Sequence, residues 1–142
     1  MSFLQNWVAL GLFSAFFAAL VAVLAKLGLQ EVDATLATTL RSIVMVLVLL
    51  LASGLTGRFG LLRDVSGRAW LAIALSGLAG ALSWVCYFIA IQVGNASRVS
   101  ALDRLSIVVV VVLAGLFLGE GLGAVRLLGA GLIVAGAWLV AR

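Results

Sequence analysis

Asp103 and Arg104 stand side by side in the first third of an apolar run, residues 99–118, that is long enough at about 20 residues to cross a bilayer. A carboxylate or guanidinium at that depth costs roughly 2.5–3.5 kcal/mol on insertion scales, so it has to meet a partner, water or a solute inside a helix bundle. Ser97, Ser100, Asp103 and Ser106 recur every three residues and share one helix face, which Val110 continues. Arg104 lies about 100° round the helix from Asp103, so the two do not simply neutralise each other. Such a face can bind an amine or a proton at the carboxylate and an acid at the guanidinium. The same residues can also lock a neighbouring helix by a salt bridge.

Other polar residues sit at comparable depth. Lys26 closes the first apolar run, and Arg41 lies about 10 Å inside the second at the helical rise. The third run places Ser76, Gly80, Ser83 and Tyr87 on one face with Trp84 beside it, a wall of small side chains and amphipathic rings. Because successive spans alternate in direction, Lys26, Arg41, Tyr87, Asp103 and Arg104 are expected in one leaflet, with Trp84 nearer the midplane. The other leaflet is lined by Leu, Val, Ile and Ala except for Glu120 and Arg126. Counting Lys26, Arg41 and Arg104 against Asp103 gives this layer a formal charge of +2, which favours a solute carrying a carboxylate or phosphate. The structural alternative is that Lys26 and Arg41 snorkel to headgroups.

The elements that position these groups follow from composition. Of 142 residues, 65% are hydrophobic and the mean hydropathy is +1.35, which describes an all-α membrane protein with no soluble domain. At roughly 20 residues per span the length supplies five spans, expected at about 5–29, 34–53, 69–93, 98–118 and 122–140, as one membrane domain over 1–142. MSFLQNW lacks the charge and cleavage site of a signal peptide and reads as the start of a retained first span. Ala15, Ala18, Ala19, Ala22 and Ala25 form a small-residue strip for close helix contact, and Gly129, Gly131, Ile133, Ala135 and Gly136 do the same in the last span, as scaffold or dimer contact. Asp33, Ser66 and Asn95 are the expected N-caps of spans two, three and four, which also makes Asn95-Ala96-Ser97 an accidental glycosylation pattern. Glu120, in the tight GEGLG connection, is expected to organise that turn by accepting backbone N–H groups.

The net charge of +4 sits at span ends and in short loops, so it is no nucleic-acid signature. The loop at 54–68 holds Arg58, Arg63 and Arg68 against Asp64, and Arg126 falls on the same side; Lys26, Arg98 and Arg142 face the other way. That modest bias points to an inside N-terminus and an outside C-terminus, and it is weak enough for insertion in both orientations. There is no His, and Cys86 is the single cysteine, so no intrachain disulfide or cysteine-histidine metal set can form. No nucleophile-and-base pair or paired carboxylates occur, and neither catalysis nor a cofactor is expected.

In order along the chain, AVLAKLGLQEVDATLATTLR, GLAGALSWVCYFIAIQVGNASRV, LDRLSIVVVVVLAGLFLGE and GLIVAGAWLV resemble the EamA domain of the drug/metabolite transporter superfamily, over nearly the full length. The common full-length members carry two such units, ten spans, whereas one is present here, and Arg104 stands where a lysine is frequent. The resemblance implies an inverted-repeat transporter whose two five-helix units face each other across a mostly apolar cavity. It further implies small metabolites as substrates, often moved outward. A single unit would then pair with a second copy, in the same or in the opposite orientation.

Together these readings give a secondary transporter of a small amino-acid-like, amphoteric or anionic metabolite, an exporter in the inner membrane, working as a homodimer by alternating access. Lys26, Arg41, Trp84, Tyr87, Ser100, Asp103, Arg104 and Ser106 are the expected contacts to solute or coupling ion. The alternatives are a non-transporting scaffold or regulatory subunit that packs through its Gly- and Ala-rich faces, and a half-size lipid-carrier flippase subunit.

Overall fold

A computed structural model describes residues 6–142; the expected start of span one at Gln5 and most of MSFLQNW lie outside the described residues. Six helices follow in order: α1 (Trp7–Gly28), α2 (Ala34–Leu55), α3 (Gly67–Val93), α4 (Ala96–Asp103), α5 (Ser106–Phe117) and α6 (Ala124–Ala141). A short 3-10 helix, Arg58–Asp64, separates α2 from α3, and no strand occurs among the described residues. Taking α4 and α5 as one span, Ala96–Phe117, five helices are long and apolar enough to cross a membrane. The protein is therefore an all-α, multi-pass membrane protein, as its composition requires.

The chain divides into two compact units. One is Gly28–Gln92, comprising α2, the 3-10 helix and most of α3. Asp33 caps α2 as expected, its Oδ1 accepting from the N–H groups of Thr35 at 2.9 Å and Leu36 at 3.1 Å. Ser66 Oγ accepts from the Ala69 N–H at 3.3 Å at the start of α3. Within α2 the hydroxyls solve their own desolvation: Thr38 and Ser42 each donate to the carbonyl four residues back at 2.7 Å. The buried residues of this unit are Leu29, Ala34, Thr38, Phe88 and Ile91, so its packed end is the one where α2 begins and α3 finishes. There Gln92 Nε2 donates to the Val32 carbonyl at 3.3 Å.

The other unit joins α1 to Val93–Arg142. Here α4 and α5 pack on α6. The buried face of α6 is Ala130 and Ala137, two turns apart, with Ile133 half-buried between them. Within the chain the close contact is thus made by alanines: Gly131 and Gly136 are exposed and a Cβ there would meet nothing. Alanine already permits close approach, so the glycines are left on the outer face. Asn95 stands at the N-cap position of α4 without a side-chain capping bond, and only its carbonyl serves, accepting from the Val99 N–H at 3.0 Å.

The connection from α5 to α6 closes on Ala114, whose carbonyl accepts from the N–H of Leu118 at 3.0 Å and of Glu120 at 3.2 Å. Gly119 permits this reversal with φ +68. The turn then lays Leu122 over Gly115, where an added Cβ would stand 2.7 Å from Leu122 Cγ. Glu120 organises the turn differently from expectation. Its Oε2 accepts from Arg126 Nη1 at 3.4 Å, and the same nitrogen donates to the Gly121 carbonyl at 3.0 Å.

Gly119→Ala is expected to lower stability by about 1–2 kcal/mol through the left-handed backbone it would impose on alanine. Gly131→Ala, whose methyl enters open space, is expected to leave stability unchanged. Thermal unfolding of the purified variants in detergent checks both.

Candidate functional site

In an apolar helix, a side chain that makes no bond of its own is the one to ask about. Arg41 is such a residue. It lies about 10 Å along α2 from Ala34, half-buried, and its guanidinium carbon sits 3.7 Å from the centroid of the Trp84 ring. Phe88, one turn further along α3, holds a ring 5.7 Å from the same carbon. The Trp84 ring meets Tyr87 edge to face at 5.6 Å and Phe88 at 5.9 Å. Antiparallel α2 and α3 bring these residues to matching depth, as the Val32–Gln92 bond near their shared end requires.

A guanidinium lying flat on a ring gives that ring its π-facing surface and keeps its N–H donors in its own plane. Among the described residues the Arg41 side chain makes these ring contacts and no hydrogen bond or ion pair. The cation is thus held and aimed without being neutralised. That edge suits a carboxylate or phosphate, which guanidinium binds through two parallel N–H bonds. Trp84, Tyr87 and Phe88 supply an apolar wall beside it. Phe88 was not among the residues singled out from sequence. The signal available for it was its spacing of four from Trp84, which sets both rings on one helix face.

The other expected site residues belong to the unit of α1 and Val93–Arg142. Lys26 Nζ donates to the Gly94 carbonyl at 2.9 Å, half-buried, so this cation ties the end of α1 to the α3–α4 junction. Ser100 is half-buried, whereas Asp103, Arg104 and Ser106 are exposed. No ion pair joins Lys26, Asp103 and Arg104, and the one salt bridge among the described residues is that of Arg126 with Glu120.

Span four is also not the continuous helix its periodicity predicts. After Asp103 the chain tightens for two residues: the Leu105 N–H bonds the Leu102 carbonyl at 3.0 Å and the Ile107 N–H bonds the Arg104 carbonyl at 3.1 Å, both three residues back. Asp103 is the last residue of α4 and Ser106 the first of α5, so the change of helix type falls at the polar residues.

The chain matches the EamA-like transporter family over residues 5–142 and belongs to it. It is 44% identical over 137 residues, 96% of this chain and 97% of the relative, to a Sinorhizobium sp. protein called an uncharacterized transporter in the cobO 3′ region. No solved structure matches it.

Trp84→Leu is expected to destabilise the protein by about 1–2 kcal/mol, the worth of a desolvated cation–π contact, with Trp84→Phe losing less. Thermal midpoints in detergent check this, compared in an Arg41→Met background, where the difference should shrink to the loss of the Tyr87 and Phe88 contacts.

Proposed function

We propose that the chain is a secondary transporter of a small amphoteric or anionic solute, exporting it across the inner membrane as a homodimer by alternating access. The observation that carries this reading is Arg41, stacked 3.7 Å over Trp84 at membrane depth with no acceptor among the described residues. Lipid tails cannot supply that acceptor, and an acidic solute can. Trp84 and Tyr87 then bound the part of the solute next to its acid group.

Membership of the family supports transport in general, and a dimer supplies the second five-span unit that alternating access between facing units would use. An inverted pair of such units would offer its sites in turn to the two sides of the membrane. A scaffold or regulatory subunit has no use for a cation that is aimed and left without an acceptor, which is why we favour transport over that alternative.

The test is counterflow in proteoliposomes with radiolabelled amino acids, hydroxy acids and phosphorylated sugars, against an amine that lacks an acid group. Uptake of an acid-bearing solute is expected. Arg41→Ala should reduce it by about tenfold or more, the loss of a charge-assisted hydrogen bond of roughly 1.5–3 kcal/mol, and Arg41→Lys should reduce it less. Unchanged uptake in a correctly assembled Arg41→Ala protein, or uptake confined to the amine, overturns the proposal.

A further inference from the structure

The connection from α2 to α3, residues 56–66, is the longest among the described residues. It and the first turn of α3 hold Arg58, Arg63 and Arg68 against Asp64, a formal charge of +2 from three positives less one negative. All four side chains are exposed, and none makes an ion pair or hydrogen bond among the described residues. The α5–α6 connection is different, because there Arg126 is answered by Glu120.

The backbone holds this charged segment against the end of its own span. The Thr56 N–H bonds the Ala52 carbonyl and the Gly57 N–H bonds the Gly54 carbonyl, both at 3.1 Å, which closes α2. Gly57 then takes φ 66, a left-handed conformation that turns the chain off the α2 axis. The 3-10 helix follows at once and folds back on α2, with Phe59 Cε2 3.5 Å from where a Cβ on Gly54 would stand. At three residues per turn, Phe59 and Leu62 fall on one ridge and Leu61 on the next, and all three stay exposed. Trp70, exposed one turn into α3, is the kind of ring that settles at headgroup level. Large apolar side chains and unanswered guanidiniums on one short segment share a good solvent only at the boundary between acyl chains and headgroups.

We propose that the 3-10 helix and the first turn of α3 form a docking surface for acidic phospholipids, with Phe59, Leu61 and Leu62 at the acyl boundary and Arg58, Arg63 and Arg68 on headgroup phosphates. Guanidinium binds phosphate oxygens through paired N–H bonds, and an anionic leaflet adds to the gain for each basic residue near its surface. A zwitterionic lipid offers the phosphate without the net charge, so the surface prefers the acidic one. The flanking spans bring lipid to this surface in any case, whereas an acidic protein would have to displace it. Each copy meets the leaflet on its own side, so the contact serves parallel and inverted pairs alike and makes no use of the Arg41 site.

The test places a fluorophore at Leu62→Cys in a Cys86→Ser protein reconstituted in phosphatidylcholine vesicles. Its quenching is compared for phosphatidylglycerol and phosphatidylcholine carrying a nitroxide on the same acyl carbon. Phosphatidylglycerol is expected to be preferred by about fivefold, the worth of one basic residue at an anionic surface. R58Q/R63Q/R68Q should bring the preference to unity, the three single Arg→Gln proteins should each lose part of it, and R58K/R63K/R68K should retain it. Equal quenching by the two lipids overturns the proposal. So does quenching by neither while aqueous iodide reaches the probe, which leaves the arginines to a soluble acidic partner. A preference undiminished in all the glutamine variants overturns it too, as does one removed by inorganic phosphate at matched ionic strength, which assigns the arginines to a soluble phosphate.

Discussion

Hydrocarbon lets a helix satisfy its own backbone and leaves its charged side chains to find partners elsewhere. Everything distinctive in this protein follows from how each intramembrane polar group meets that demand. The hydroxyls of Thr38 and Ser42 meet it locally, by bonding the carbonyl one turn back. Lys26 meets it with a main-chain carbonyl, and Arg41 meets it in part, with the face of Trp84. Asp103 and Arg104 have no such partner among the described residues. The solutions run from wholly local, through a main-chain carbonyl, to an aromatic face.

Much of the architecture was legible in the residues. Span lengths follow from the apolar runs, and the Asp33 and Ser66 caps follow from acceptors placed just before helical stretches, because capping is a contact between near neighbours. What periodicity could not foresee is what depends on three-dimensional choice. No Gly or Pro marks the tightening at Arg104 and Leu105, so nothing local announces the change from α4 to α5. Asn95 has the right type for a cap, yet its side chain is not used. In α6 both Ala130 and the neighbouring glycines are small enough to pack, and size alone does not say which set turns inward.

The candidate site was legible in the same uneven way. Arg41, Trp84 and Tyr87 could be placed at similar depths by counting residues from span ends. That the Arg41 guanidinium sits over the Trp84 ring, with Phe88 completing the wall, needs the rotation of both helices about their axes, which counting does not give. Depth and charge alone group Lys26 with them. Its bond to Gly94 sets it apart, because a backbone acceptor leaves no trace in residue types.

That bond between Lys26 and the Gly94 carbonyl has a consequence for how the family can drift. An ion pair between side chains can be lost from either end, and its two positions tend to change together. Here the acceptor is main chain, present whatever residue occupies position 94. Variation there leaves the contact standing, and the whole mutational sensitivity of this tie falls on the lysine. Across related chains, position 94 would therefore show no covariation with the lysine.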